Sequence, residues 1–267
     1  MDDFKLYLVG LNLAANTINA YLIAVRSYFL YFDEITKTNL LAWKADLIEK
    51  FKAKTVNLKI QAINNYLVFI GKENLKIKSV KVQQSLFLEN VISDSDYHFL
   101  KKQLKKEKNK QWYFVVRFLA ATGARISELI KIKVEHVKVG FIDIYTKGGK
   151  IRRIYIPKAL RIEAESWIKN DLKFDSGYIF INRYGERITS RGVSQQLKKF
   201  AVKFGIDPNV VYPHSFRHRF AKNFLEKYND IALLADLMGH ESIETTRIYL
   251  RKTADEQQAI VDDVVTW

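Results

Sequence analysis

Apolar residues recur every three or four positions along most of this chain, and that period predicts helices. Four fall in the first ninety residues. Phe4, Tyr7, Leu8 and Leu11 make one helical face. Thr17 can cap a second helix, in which Ile18, Tyr21, Leu22, Val25, Phe29 and Phe32 recur at helical spacing. A third lies near residues 40–51. A fourth carries Val56, Ile60, Ile63, Leu67 and Ile70, with Gly71 suited to the position just past its end. The period fades over 72–90. The reading is a helical domain over 1–78, a linker over 79–90 and a second domain over 91–267.

The second domain opens with Ser93-Asp-Ser-Asp96, a helix start, followed by a helix to residue 106. Another helix spans 111–121 and breaks at Gly123, and a third begins near Arg125. The period then changes to that of strands. Residues 140–146 and 151–156 flank Lys147-Gly-Gly-Lys150, which predicts a hairpin with a glycine-rich turn, ended by Pro157. A short strand is expected at 178–182. Thr189 can cap a helix carrying Val193, Leu197, Phe200 and Phe204 and closed by Gly205. Helices follow over 215–228, 230–238 and 242–250. The capping box Thr253-x-x-Glu256 announces a final one over 254–267. The expected fold is mainly α with a small β-hairpin, in two domains: one helical, one α+β.

Composition narrows what such a protein handles. The 267 residues carry a formal charge of +15, divided as +5 over residues 1–88 and +10 over 89–267. A field of that sign on both parts favours a polyanion, and two basic walls suit a protein that clamps a duplex. There is no cysteine, which excludes a disulfide scaffold, a thiol nucleophile and a Cys-ligated zinc site. No stretch approaches the roughly 20 apolar residues of a membrane span. The acidic start, Met-Asp-Asp-Phe, is not a signal peptide, so a cytoplasmic protein without a membrane partner is expected. No Walker loop, dinucleotide fingerprint or metal-carboxylate pattern occurs, so neither metal nor cofactor is expected.

The candidate chemistry lies in arginine, histidine and tyrosine. His214, Arg217 and His218 share one face at the start of a helix, at spacings i, i+3 and i+4. Gly239-His240 marks a helix end, and Tyr249 follows nine residues after His240. Singly, each is an ordinary structural feature: the chain holds 14 tyrosines. Arg125 also has a structural reading, as an ion pair with Glu128 three residues on. His98 and His136 fit no site. Glu163, Glu165, Asp262 and Asp263 read as exposed helix charges.

As an ordered set, these residues resemble the tyrosine site-specific recombinases, the integrase and Xer class. Thr122-Gly-Ala-Arg125-Ile-Ser-Glu128-Leu is similar to that family's first signature. His214-Ser-Phe-Arg217-His matches its His-x-x-Arg motif. Leu237-Met-Gly-His240 with Thr245-Thr-Arg-Ile-Tyr249 matches its last. Ala14-Ala-Asn-Thr-Ile-Asn-Ala-Tyr21 resembles part of the core-binding domain, so the likeness covers nearly the whole chain. Met238 stands where leucine is usual, Leu250-Arg251 where Thr-His is common, and the stretch from Arg217 to His240 is slightly short.

The resemblance implies a DNA breaking and rejoining enzyme, expected as a homo-tetramer on two double-stranded DNA sites. Tyr249 is the implied nucleophile, leaving a 3′-phosphotyrosine and a free 5′-hydroxyl. His214 is the implied base, and Arg125 and Arg217 hold the non-bridging oxygens, a task for which planar, permanently charged guanidinium is suited. His240 adds a hydrogen bond. The acid is a lysine in the hairpin turn, Lys147 in preference to Lys150. Glu128 and His218 act behind these, Glu128 orienting Arg125 and His218 supporting the helix face. The apolar stripe Ile260, Val261, Val264, Val265 and Trp267 is expected to pack either into a neighbouring subunit or on its own domain. The arm-binding module of larger integrases is expected to be missing. A topoisomerase IB-like relaxer and a non-enzymatic DNA-binding protein are the rival readings; the tail and the intact set of six residues argue against them.

Overall fold

The structure, a computed structural model, describes residues 1–82, 90–145, 151–172, 176–240, 242–250, 258 and 261–265. The chain divides into two compact units, Met1–Gln84 and Ser85–Trp267.

The first unit is four helices: α1 (Asp2–Gly10), α2 (Ala15–Phe29), α3 (Lys37–Lys50) and α4 (Ala53–Phe69). The apolar stripes read from sequence become its core. Phe4, Leu8, Val25, Tyr28, Leu40, Trp43, Ile60, Ile63 and Leu67 are all buried. Burying each such side chain stabilises by about 1.5–3 kcal/mol. Two boundaries differ from the sequence reading. Thr17 does not cap α2: the helix starts three residues earlier, from Ala14, because alanines favour helix and offer no side chain that competes for the backbone. Thr36 caps α3, accepting from the Asn39 amide at 3.1 Å.

The aperiodic stretch after α4 is docked on it. Asn57 and Asn64, seven residues apart, lie on one face of α4. Each side-chain amide makes a reciprocal pair with backbone, Asn57 with Val80 (2.9 and 2.8 Å) and Asn64 with Ile77 (2.9 and 3.0 Å). Two asparagines thus satisfy backbone groups that a neighbouring strand would otherwise serve, and Val80, inside the expected linker, packs on the first unit's core.

The second unit runs α5 (Asp94–Lys106), α6 (Lys110–Thr122), α7 (Ile126–Leu129), α8 (Val134–Val139), β1 (Phe141–Tyr145), β2 (Ile151–Tyr155), α9 (Lys158–Asp171), α10 (Ser190–Lys203), α11 (Pro213–Lys227), α12 (Ile231–Met238) and α13 (Ile243–Arg247), then a 3-10 turn Ile248–Leu250. Helix α6 is central: Phe114, Val115, Val116, Phe118, Leu119 and Ala120 are buried nearly all round it. Phe114 stacks on Trp167 of α9 at 4.5 Å. Ser93 and Thr189 cap α5 and α10 as their sequences suggested. The hairpin is antiparallel with Ile142 opposite Ile154 and Ile144 opposite Arg152. Its turn, 146–150, lies outside the described residues.

Two features differ from the sequence reading. The strand expected at 178–182 is two isolated bridges, Lys133 to Tyr178 and Ile181 to Arg187. A turn at Gly185, with the Asn182 side chain accepting from the Tyr184 and Glu186 amides, closes the segment before a ladder can form. Helix α8 escaped the sequence reading because it is short, and α9, marked there only by the helix charges Glu163 and Glu165, buries only Leu160, Ala164 and Trp167 among many charges. The capping box Thr253-x-x-Glu256 lies outside the described residues; residues 261–264 are helical, with Val261, Val264 and Val265 exposed. Among the described residues no helix is long and apolar enough to cross a membrane.

Candidate active site

Five elements of the second unit deliver the candidate side chains to one place. Gly123 ends α6 at φ +61°, a conformation glycine adopts without strain, and so turns the chain onto Arg125 at the start of α7. A side chain at 123 would also run into the Phe220 ring. Glu128, one turn into α7, reaches back. Its Oε2 accepts from the Arg125 amide at 2.7 Å, and its Oε1 pairs with Arg125 Nη1 at 2.9 Å. The ion pair of the structural reading is present.

Helix α11 begins with Pro213 at its first turn, where a missing N–H costs nothing. Ser215 is buried and its hydroxyl accepts from the Ile92 amide at 2.7 Å, which anchors the helix start. Arg217, 2% exposed, points inward. Its Nη1 donates to Gly123 O and its Nη2 to Met238 O, both at 2.6 Å, and Nη2 also donates to His240 Nε2 at 3.1 Å.

Helix α12 ends at Gly239 in the left-handed conformation, with the His240 amide bonded back to Ala235 O at 3.0 Å. Its last carbonyls have no partners within the helix and lie at the negative end of its dipole. Three arginines take them in succession. Arg152 donates to Leu237 O (2.9 Å), Arg217 to Met238 O (2.6 Å) and Arg125 to Gly239 O (2.9 Å). The helix end that carries His240 is therefore the frame on which the guanidinium groups are set.

His240 is positioned on both sides. Its Nε2 accepts from Arg217, which can only donate, so the proton sits on Nδ1 and is donated to Thr246 Oγ1 at 2.7 Å. Tyr249 lies in the 3-10 turn after α13, 8% exposed, within a small apolar cluster with Leu225, Leu234 and Met238. Its ring stacks near His240 at 6.3 Å. Its hydroxyl is 3.1 Å from Nδ1 of His218, so the imidazole on the phenol is that of His218 and not of His214. His214 stands one turn earlier on α11, its ring 5.9 Å from that of His218.

Charge in the site follows from burial. Burial pushes His218 down to about 4, helped by His214 and Arg217, and pushes His240 down to about 4, helped by Arg217 and Arg125. His214 is lowered by the same causes. All three imidazoles are therefore neutral at pH 7, and that of His218 stands against the phenol. Burial also lowers Arg217 to about 10, still a full cation at neutral pH. Tyr249 is raised by burial, against the pull of Arg217, and stands as a phenol. For Glu128, burial would raise the carboxyl, but Arg152 and the Arg125 backbone hold it below the usual carboxylate range.

The structure thus brings together Arg125, Glu128, His214, Arg217, His218, His240 and Tyr249. Lys147 and Lys150 lie outside the described residues. Two members had no role assigned from sequence, Thr246, which stands within the last motif, and Arg152. Arg152 had a signal: strand alternation puts it on the inward face with Ile154, and an arginine facing inward needs an explanation. Among the described residues no three His, Asp or Glu side chains converge as metal ligands would. A cluster of cations around a buried phenol, with neutral imidazoles beside it, can neutralise an oxyanion and accept a proton from the nucleophile that attacks it.

Comparison with known proteins identifies the family. Residues 90–256 match the model of the phage integrase family. The chain is 30% identical to tyrosine recombinase XerA of Pyrococcus furiosus, over 98% of this chain and 92% of that one. It is 26% identical to tyrosine recombinase XerD of Oceanobacillus iheyensis, over 94% and 93% respectively. Among solved structures it superimposes on the XerH site-specific recombinase bound to palindromic difH substrate with a TM-score of 0.71, at 21% identity, covering 96% of this chain and 81% of that one.

Proposed function

Because this chain belongs to the phage integrase family, the tyrosine site-specific recombinases that break and rejoin DNA through a phosphotyrosine, we propose that Tyr249 is its nucleophile and that Arg125 and Arg217 hold the scissile phosphate, joined by His240 once Arg217 turns to the phosphate and the imidazole proton moves to Nε2. The observation that carries this reading is the convergence of those side chains on one helix end, with the Tyr249 hydroxyl against an imidazole.

The chemistry follows from the parts. The Tyr249 oxygen attacks phosphorus and the bond to the 5′-oxygen breaks. The phenol proton passes to an imidazole, and the leaving oxygen takes a proton from Lys147 of the hairpin turn. The product is a 3′-phosphotyrosine and a 5′-hydroxyl. The new ester keeps the energy of the diester it replaced, so rejoining needs no nucleotide cofactor. Arg125 and Arg217 stabilise charge that grows on the non-bridging oxygens, and each such preorganised donor is worth about 100-fold or more in rate. His214 is the base. His218 holds the phenol in the present arrangement, one turn along the same helix face.

The enzyme acts on double-stranded DNA, in the cytoplasm, as a homo-tetramer spanning two sites. The helical first unit grips the duplex, and the apolar stripe of the tail, of which Val261, Val264 and Val265 are exposed, docks on a neighbouring copy. Truncation after residue 253 then abolishes tetramer assembly on DNA; intact assembly of the truncated chain refutes the docking.

The decisive experiment uses duplexes selected from a random-sequence pool by retention on the protein, then nicked beside each position in turn so that cleavage traps the adduct. Wild type forms a covalent 3′ adduct and Tyr249→Phe forms none. His214→Ala loses more of the rate than His218→Ala, and regains it as pH rises. No adduct from wild type refutes the enzyme reading, and an adduct from Tyr249→Phe refutes the nucleophile.

A further inference from the structure

Arg152 lies in β2, its side chain 4% exposed, and no part of the reaction just described uses it. Its Nη1 donates to both oxygens of Glu128, at 2.7 and 2.6 Å, and its Nε to Leu237 O at 2.9 Å. Its Nη2 is buried without a hydrogen-bond partner among the described residues. The backbone makes room for it: a Cβ at Gly239 would run into its Cδ.

Stability does not explain this arrangement. Replacing a buried ion pair by well-packed apolar side chains is commonly neutral or stabilising, and the unpartnered Nη2 adds a cost that an apolar residue would avoid. Charge explains it better. Glu128 carries one negative charge and is bonded by two guanidinium groups, those of Arg125 and Arg152. Without Arg152, the only cation paired with this buried carboxylate among the described residues would be Arg125, the more exposed of the two, whose side chain is 33% accessible. With Arg152 present, the guanidinium groups of Arg125, Arg152 and Arg217 exceed the one carboxylate of the site by two positive charges among the described residues. A phosphodiester carries one negative charge, and the pentavalent species formed by a phenolate carries two.

We infer that Arg152 is a positioning residue: by taking up the charge of Glu128 it leaves the Arg125 guanidinium available to the phosphate. The inference rests on the phosphotyrosine reading. It extends that reading to a side chain that never meets DNA, and it gives Glu128 two tasks, orienting Arg125 and holding Arg152 in β2.

The test compares two linkages at the scissile position of a nicked duplex of the selected sequence: the natural phosphodiester and an uncharged methylphosphonate. Removing one negative charge from the substrate relieves a centre that is short of one positive charge. Arg152→Met is expected to slow adduct formation in a single turnover on the diester roughly 100-fold, with DNA affinity within about twofold of wild type, and to close most of that gap on the methylphosphonate. Arg152→Lys, which keeps the charge, falls less far than Arg152→Met on the diester. The double variant Glu128→Gln/Arg152→Met, which removes both charges, cleaves the diester faster than Arg152→Met alone. A deficit of equal size on both linkages, or a rate for Arg152→Met equal to wild type, overturns the inference. Where Arg152→Met does not fold, the double variant decides: cleavage of the diester within about tenfold of wild type supports the inference, and a deeper loss in a folded double variant overturns it. An absence of adduct from wild type on either linkage refutes the phosphotyrosine reading and not the role of Arg152.

Discussion

Exchanging Arg217 for lysine keeps a positive charge and tests whether charge is what matters. Arg217 spans two segments of backbone, Gly123 O from one amino group and Met238 O from the other, both at 2.6 Å, and it also serves His240. An ammonium on a shorter stem is a point and not a fork, so one carbonyl loses its donor. A buried carbonyl left unpaired costs about 1–3 kcal/mol, and the lost charge-assisted hydrogen bond to His240 about 1.5 more. A total near 3 kcal/mol lowers the melting temperature of a unit this size by roughly 6–12 °C. The charge itself is at risk too. Burial holds Arg217 at about 10. A lysine starts some two pH units below arginine, so the same burial brings its amine to about 8. Adduct formation by Arg217→Lys should therefore fall as pH passes about 8, where wild type still holds its guanidinium charged. Stability moves the other way. Between about pH 8 and 10.4 the unfolded chain keeps a proton that the folded variant has shed, so its unfolding free energy rises with pH relative to wild type. Differential scanning calorimetry and single-turnover cleavage across pH 7–10 measure both. A variant that melts within about 1 °C of wild type and shares its pH–rate profile would refute the reasoning.

Gly239→Ala places a Cβ at φ +60° and against Arg152, so it should cost about 2–4 kcal/mol in chemical denaturation and slow cleavage as well; an unchanged midpoint excludes the proposed crowding. His218 and His240 titrate near 4 in the folded chain and near 6.5 unfolded. The unfolded state then binds more protons between those values, so stability is full above pH 6.5 and falls toward pH 4; urea midpoints that stay level over this window contradict it. Asn64→Ala removes both ends of the reciprocal pair with Ile77 and should cost about 1–2 kcal/mol in the first unit. Hydrogen exchange at the Ile77 amide reports it directly, and protection equal to wild type would mean that the docked segment is held by something else.

Most of the helices were legible because each long one buries a stripe whose period survives in the sequence, as α2, α4 and α10 do. Those whose bounds were not, α8 and α9, bury too few residues for the period to stand above their charges. The residues of the candidate site were legible as an ordered set of motifs. Their partners were not, because those partners are backbone carbonyls, Gly123 O and the three at the end of α12, and a carbonyl leaves no mark in sequence. Which imidazole faces Tyr249 was equally out of reach: His214 and His218 lie on the same helix face, and only the path of the chain from Gly239 to Tyr249 selects between them.

The sequence by itself determined two things: a chain with the stripes to fold as helices, and the arginine, histidine and tyrosine side chains for chemistry on a phosphate. Only the tertiary structure decided that Arg152, 24 residues from Glu128 and 85 from Leu237, joins them. The reason is physical. Local periodicity reports which face of an element is buried, whereas a buried charge is meaningful only through partners that folding brings from elsewhere in the chain.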